Sequence, residues 1–157
     1  MPFISFFWSS AQGVYIFDSY HWGLLAHNAI SFLNGKELYN EIFVHYGPLT
    51  TILNAAILKL FNKDLFFIFI FYSFFYSLAI LLISLTTKKI TNSLYLGLLA
   101  GLVIFFIHPV IIAPWHNYLL FLIIILFLYL KVSFQNKYLE IILIFGVLVS
   151  ETFLFPC

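Results

Sequence analysis

The chain has 157 residues, of which 64% are hydrophobic and 8% are charged, and its mean hydropathy is +1.08. Soluble domains carry about 25% charged residues, so this composition excludes a soluble globular core and predicts an integral membrane protein. The net charge is +1 and no basic run is longer than Lys88–Lys89, which argues against nucleic-acid binding. The single cysteine, Cys157, excludes an internal disulfide and any cysteine-based metal cluster.

Five apolar stretches predict an all-α protein, a multi-pass transmembrane helical bundle. The first stretch is short for a span of about 20 residues, which predicts oblique insertion or a start upstream of Met1, and we favour the second. Lys88–Lys89 are expected to close the second span, and a polar turn is expected at 131–137. The predicted spans are 3–17, 65–87, 90–107, 115–130 and 138–155.

Residues 18–63 are predicted to form an external loop that carries two helices lying in the membrane interface. The first helix, over 22–34, is expected to end at Gly35, and a polar link over 36–46 follows. The second begins at Gly47–Pro48, because proline suits the first turn of a helix. On the first helix, the spacing predicts two faces. The apolar face is formed by Trp22, Leu25, Ala26, Ala29 and Leu33, and the polar face by His27, Asn28 and Ser31.

The long uncharged stretch from Ile90 to Leu130 is divided by the polar, proline-bearing segment HPVIIAPWHNY, residues 108–118. Before this segment, Gly97 and Gly101 form a small-xxx-small pattern that permits close helix contact, although such short patterns also arise by chance.

Lysine placement sets the expected orientation, because cytoplasmic turns carry the excess of lysine and arginine. The turns after the second and fourth spans hold Lys88, Lys89, Lys131 and Lys137, and are therefore predicted to be cytoplasmic. Residues 18–63 and 108–118 then share the external side of the cell membrane.

The segment from Phe17 to Thr51 holds three of the six acidic residues and three of the five histidines. A polar loop that carries carboxylates between hydrophobic spans usually serves function. We therefore expect the chemistry of the protein to lie there.

The sequence of this segment resembles the first external loop of C-type glycosyltransferases, the polyprenyl-phosphate-sugar-dependent enzymes that include protein mannosyltransferases and aminoarabinose transferases. The resemblance rests on Asp18 after the first span, Gly35 to Glu41 with Tyr39, and Gly47-Pro48-Leu49. It extends to the last apolar run, FGVLVSETFLFP. It implies that residues 1–157 are one membrane domain, the amino-terminal part of a larger fold, and we expect a fragment or a truncated reading frame.

The resemblance implies transfer of a sugar from a polyprenyl-phosphate donor to a lipid, glycan or protein acceptor on the external face. By its position at the first polar residue after the span, Asp18 is the expected general base for the acceptor hydroxyl, with an ordinary helix-end aspartate as the alternative. The expected substrate-binding residues are Glu41, His45, Tyr46, His108, His116, Asn117 and Glu151.

Neither a metal nor another cofactor is expected, because a metal site needs three or four convergent ligands and Asp18 with His21 is an incomplete set. The expected partners are the donor and membrane lipid. The alternative function is a non-catalytic multi-pass protein, either an assembly or transport subunit or an inert half of a split gene. A transport subunit is the least favoured version of this alternative, because the stretch from Leu65 to Leu130 has no ionisable residue at mid-membrane.

Overall fold

The structure, a computed structural model, describes residues 1–15, 19–44, 47–107 and 117–134. This part of the chain forms six α-helices: α1 (Pro2–Tyr15), α2 (Ser19–Leu33), α3 (Pro48–Leu60), α4 (Phe66–Thr91), α5 (Leu94–Ile107) and α6 (Tyr118–Phe134). The prediction of an all-α protein is confirmed for these residues. The predicted span at 138–155 lies outside them.

Helix α4 is the centre of the bundle, and α1, α5 and α6 each pack along it. Helix α1 runs antiparallel to α4, because Ser5 lies beside Ser77 and Ser9 beside Ser73. Helix α2 packs on α3, which makes a lighter contact with α4. Helices α1, α4, α5 and α6 therefore form the bundle, and α2 and α3 form a separate pair that contacts α4.

Helix α5 also runs antiparallel to α4, and α6 runs parallel to it. The Tyr76 hydroxyl of α4 donates a hydrogen bond to the Ile104 carbonyl of α5 (3.0 Å), and the Tyr76 ring stacks on Tyr118 of α6 at 4.5 Å. Both contacts lie in the half of α4 that is nearer Phe66. The end of α5 and the start of α6 therefore lie beside this half.

Within the described residues, α4 is the one helix that is long and apolar enough to cross a membrane. Its 26 residues correspond to about 39 Å at 1.5 Å per residue. Helices α5 and α6 are apolar but shorter, with 14 and 17 residues.

Two helices continue past the lysines that were expected to end them. Helix α4 runs through Lys88 and Lys89 to Thr91, where Asn92 closes it in the left-handed conformation with φ of 53°. Helix α6 includes Lys131 and continues to Phe134. Residues 131–134 are therefore helical, although a polar turn was predicted at 131–137. Lysine is a good helix former that is favoured in a last turn, so it can end an apolar run without ending a helix.

Helices α2 and α3 begin near the predicted positions, but the polar face of α2 is not open. Trp22, Leu25 and Ala29 are buried, as expected of the apolar face, and so are Asn28 and Ser31. Asn28 and Ser31 were predicted on a separate polar face together with His27, and only His27 of these three is exposed. Helix α2 is therefore covered on two sides, by α3 and by the loop that follows it.

Candidate functional site

Helices α2 and α3 and the loop between them, residues 34–44, form a unit that we call the head. Trp22 fixes the head to the bundle, since its ring lies 4.8 Å from Phe69 and 5.7 Å from Tyr72, both edge to face. All three rings are buried in one core that also includes Tyr118 of α6. The head is thus held against the Phe66 half of α4.

The loop of the head is a compact turn held together by its own carboxylates. The Glu37 amide donates a hydrogen bond to Oε2 of Glu41 (2.9 Å), and Nδ2 of Asn40 donates to Oε2 of Glu37 (2.9 Å). Tyr39, at the tip, has φ of 68°, and an isolated bridge joins Leu38 to Ile42. The acidic residues of the loop therefore have a folding role that their sequence positions did not indicate.

Asn28 connects the loop to helix α2. Its Nδ2 donates a hydrogen bond of 2.7 Å to the carbonyl oxygen of Phe43, and its side chain is buried. Because a buried amide is expensive to leave unpaired, this bond fixes where the loop lies on the helix. It also explains why the predicted polar face of α2 is covered.

The Glu41 carboxylate remains open to solvent although it takes part in the turn. Only Oε2 accepts the Glu37 amide, and the residue is exposed. An ionised carboxylate has about four acceptor positions, so Glu41 can still accept hydrogen bonds from hydroxyl groups. Its predicted role in substrate binding is chemically possible and stays a prediction.

Most of the predicted site lies outside the described residues: Asp18, His45, Tyr46, His108, His116 and Glu151. Of the other two, Glu41 lies in the loop of the head and Asn117 lies half-buried just before α6. Asn117 precedes Tyr118, whose ring belongs to the same core as Trp22 of the head. The fold therefore brings the start of α6 and the base of the head to one core.

Three polar groups are buried where the head meets α4, and the sequence did not predict that they lie together. The Tyr72 hydroxyl faces the Asn54 side chain, yet neither it nor the Asn54 amide makes a hydrogen bond of good geometry, and the same holds for Nε1 of Trp22. Asn54 is fully buried. Buried polar groups without partners are uncommon, so this cluster marks a place where α2, α3 and α4 meet under constraint. The sequence signal was Asn54 itself, an amide in an apolar helix.

Within the described segments, no group of three or more histidine, cysteine or acidic side chains is placed to hold a metal ion. No protein-family model matches the chain, and no curated protein or solved structure matches it either.

Proposed function

We propose that the chain is a multi-pass membrane protein that takes part in sugar transfer from a polyprenyl-phosphate donor to an acceptor hydroxyl on the external membrane face. The membrane assignment has the stronger support, from the distribution of side chains in the bundle. The transferase assignment is supported by the sequence resemblance and by the position of the head.

The observation that carries the membrane assignment is the reversed polarity of α1. Ser5 and Ser9 are fully buried against α4, whereas Phe3 and Phe7 are 79% and 68% exposed. In water, this arrangement would expose large apolar side chains and bury hydroxyl groups. In hydrocarbon it is favourable, because small polar residues join helices while large apolar residues face lipid.

Helix α5 has the same arrangement. Its buried residues are Gly97 and Gly101, and most of its large apolar side chains are exposed, although Ile104 and Phe105 pack against the core that includes Tyr76. The exposed ones are Leu94, Tyr95, Leu96, Leu98, Leu99, Val103, Phe106 and Ile107. A surface of this kind needs an apolar solvent or a further apolar partner, and lipid supplies it.

The head supports the transferase assignment, because it carries a polar loop with two carboxylates beside the Phe66 half of α4. Asp18 immediately precedes α2, and the segment 108–116 joins two helices that lie beside the same half of α4. Asp18 and the segment 108–116 are far apart in sequence, but the helices that they adjoin lie beside the same half of α4. A site for a lipid-linked donor and a water-soluble acceptor needs such a position at the interface.

The proposed step requires one carboxylate as general base. Asp18 takes the proton from the acceptor hydroxyl, and the acceptor oxygen forms a bond to the anomeric carbon of the donor. The bond from that carbon to the phosphate oxygen breaks, and the polyprenyl phosphate leaves with the electron pair. Glu41 accepts hydrogen bonds from substrate hydroxyl groups.

The decisive experiment compares Asp18→Asn with Glu37→Gln in membranes that contain the full chain. The probes are radiolabelled polyprenyl-phosphate mannose and polyprenyl-phosphate aminoarabinose, added separately. Both substitutions remove one negative charge, and the glutamine can still accept the bond from Asn40. We expect Asp18→Asn to lower sugar transfer by about 10²- to 10⁴-fold, the usual contribution of general base catalysis, and Glu37→Gln to retain it. Membrane insertion of both variants is measured in parallel.

The hydrogen bonds of the loop favour a second candidate function, a non-catalytic membrane subunit. Both Glu37 and Glu41 serve to fold the turn, which is sufficient to shape a surface for a partner protein. If Asp18→Asn inserts normally and transfer is unchanged, this second function replaces the first.

A further inference from the structure

A cleft with two lysines lies at the end of α4 that is farthest from the head. It has a volume of about 310 Å³ and is lined by Leu85, Lys88, Lys89, Asn92 and Tyr129. Sites for small ligands occupy roughly 300–1,000 Å³, so the cleft has room for a compact polar group. Helices α4 and α6 form its two sides.

The cleft is cationic. None of its five lining residues is acidic. The acidic residues of the described segments, Glu37, Glu41 and Asp64, belong to the head or to the turn that opens α4. Lys88 and Asp64 are 24 positions apart along the chain, about 36 Å at helical rise. No described carboxylate is therefore close enough to neutralise the two lysines.

The two lysines are held by rigid elements. Both belong to α4, which continues to Thr91. The Lys88 stem lies against α5, since a Cβ on Gly97 would be 3.1 Å from its Cβ. Nζ of Lys89 lies 5.5 Å from the centre of the Tyr129 ring, within the range of a cation–π interaction. The stem of Lys88 and the ammonium group of Lys89 are thus each placed by a neighbouring helix.

We propose that this cleft binds the phosphate headgroup of an anionic phospholipid. Lysine ammonium groups bind phosphate as point charges, and the Asn92 amide adds a hydrogen-bond donor. Leu85 provides an apolar wall, and the exposed Leu81 lies one helical turn further along α4, where an acyl chain can follow. This assignment rests on the membrane part of the proposed function and is independent of sugar transfer.

The test uses the purified full chain in neutral detergent, with native mass spectrometry to count bound lipid. The probes are phosphatidylglycerol, phosphatidylcholine and inorganic phosphate. The variant Lys88→Gln/Lys89→Gln is compared with Lys36→Gln/Lys63→Gln, which removes the same charge from two exposed lysines outside the cleft. Each lysine near an anionic lipid surface contributes about fivefold to binding, so we expect the first variant to lose at least about tenfold in phosphatidylglycerol affinity. The second variant should be unchanged.

A second variant, Tyr129→Leu, keeps apolar volume and removes the ring that positions Lys89, and it should weaken phosphatidylglycerol binding by a smaller factor. Equal losses in both lysine variants would show diffuse attraction and overturn the assignment. Equal affinity for phosphatidylcholine would also overturn it. Saturation of the cleft by inorganic phosphate alone would make it a site for soluble phosphate. Flotation of the chain with vesicles checks the membrane assignment separately.

Discussion

Gly97 of α5 lies directly against Ser84 of α4, so that a Cβ on Gly97 would come 2.6 Å from the Ser84 carbonyl oxygen. The small-xxx-small pattern of Gly97 and Gly101 permitted such a contact, with chance as the alternative, and the structure shows the contact. Real Cβ atoms do not approach a backbone oxygen this closely. The absence of a side chain on Gly97 therefore sets the distance between these two helices.

Replacing Gly97 with alanine should destabilise the bundle, because the new Cβ meets rigid backbone and the helices must separate. Overpacking of this kind costs about 1–3 kcal/mol. The matched control is Gly23→Ala in α2, where nothing lies within 4 Å of the position and alanine should be neutral or stabilising. Thermal unfolding of both variants in detergent, followed by circular dichroism, measures the difference. Equal stability changes would contradict the close approach.

The paired serines of α1 and α4 should contribute a small, measurable coupling. Oγ of Ser73 donates a hydrogen bond of 3.0 Å to Oγ of Ser9, and both residues are fully buried. A double-mutant cycle of Ser9→Ala and Ser73→Ala should give a coupling free energy of about 0.6 kcal/mol, typical of polar contacts between membrane helices. The same cycle with Ser10, whose hydroxyl has no partner in the described structure, should give none. If the cycles with Ser9 and with Ser10 gave equal coupling free energies, the hydrogen bond between Ser9 and Ser73 could not be the cause of the coupling.

Substituting Asn28 should loosen the loop of the head without unfolding the bundle. Asn28→Ala removes the hydrogen bond to the Phe43 carbonyl, which has a typical net value of about 1 kcal/mol. Hydrogen exchange of the loop amides, which bond within residues 37–42, should accelerate by about fivefold, while exchange in α4 stays unchanged. Asn34→Ala, at an exposed position at the start of the loop, is the control and should have no such effect.

A lysine at Leu99 should impair membrane insertion, whereas a lysine at Leu60 should not. Both leucines are exposed, but Leu99 lies within the apolar α5 and Leu60 follows Lys59 at the end of α3. A lysine at the centre of a membrane helix costs about 2.5–3.5 kcal/mol on insertion scales. Protease protection in microsomes measures the inserted fraction of each variant. Equal insertion would argue that α5 does not face lipid.

The sequence predicted where helices lie better than how they contact one another. Apolar runs located α4, α5 and α6, and Pro48 located the start of α3. Charge was a poor guide to helix ends, because Lys88 and Lys89 end an apolar stretch while α4 continues to Thr91. Apart from the glycines, the exposed and the partly buried positions of α5 are all apolar, so periodicity alone could not assign its faces.

The candidate site was less predictable than the fold, for a physical reason. Asn28 was predicted on a polar face of α2 together with His27 and Ser31, and only the packing of the head shows that Asn28 and Asn54 are both buried. The serine pairs had a visible signal, since Ser5 and Ser9 repeat at four residues and Ser73 and Ser77 do the same. The antiparallel packing of α1 on α4 decides that Ser5 meets Ser77 and Ser9 meets Ser73, and this packing is a property of the whole bundle.

The turn at Asn92 and Ser93 has a consequence for biogenesis. With only these two residues between α4 and α5, the helices form a hairpin whose contact at Ser84 and Gly97 is only 13 positions apart in sequence. A contact so local closes quickly once both segments have left the ribosome. The hairpin can therefore assemble during synthesis, before α6 has emerged, and present a finished surface on which the later helix docks.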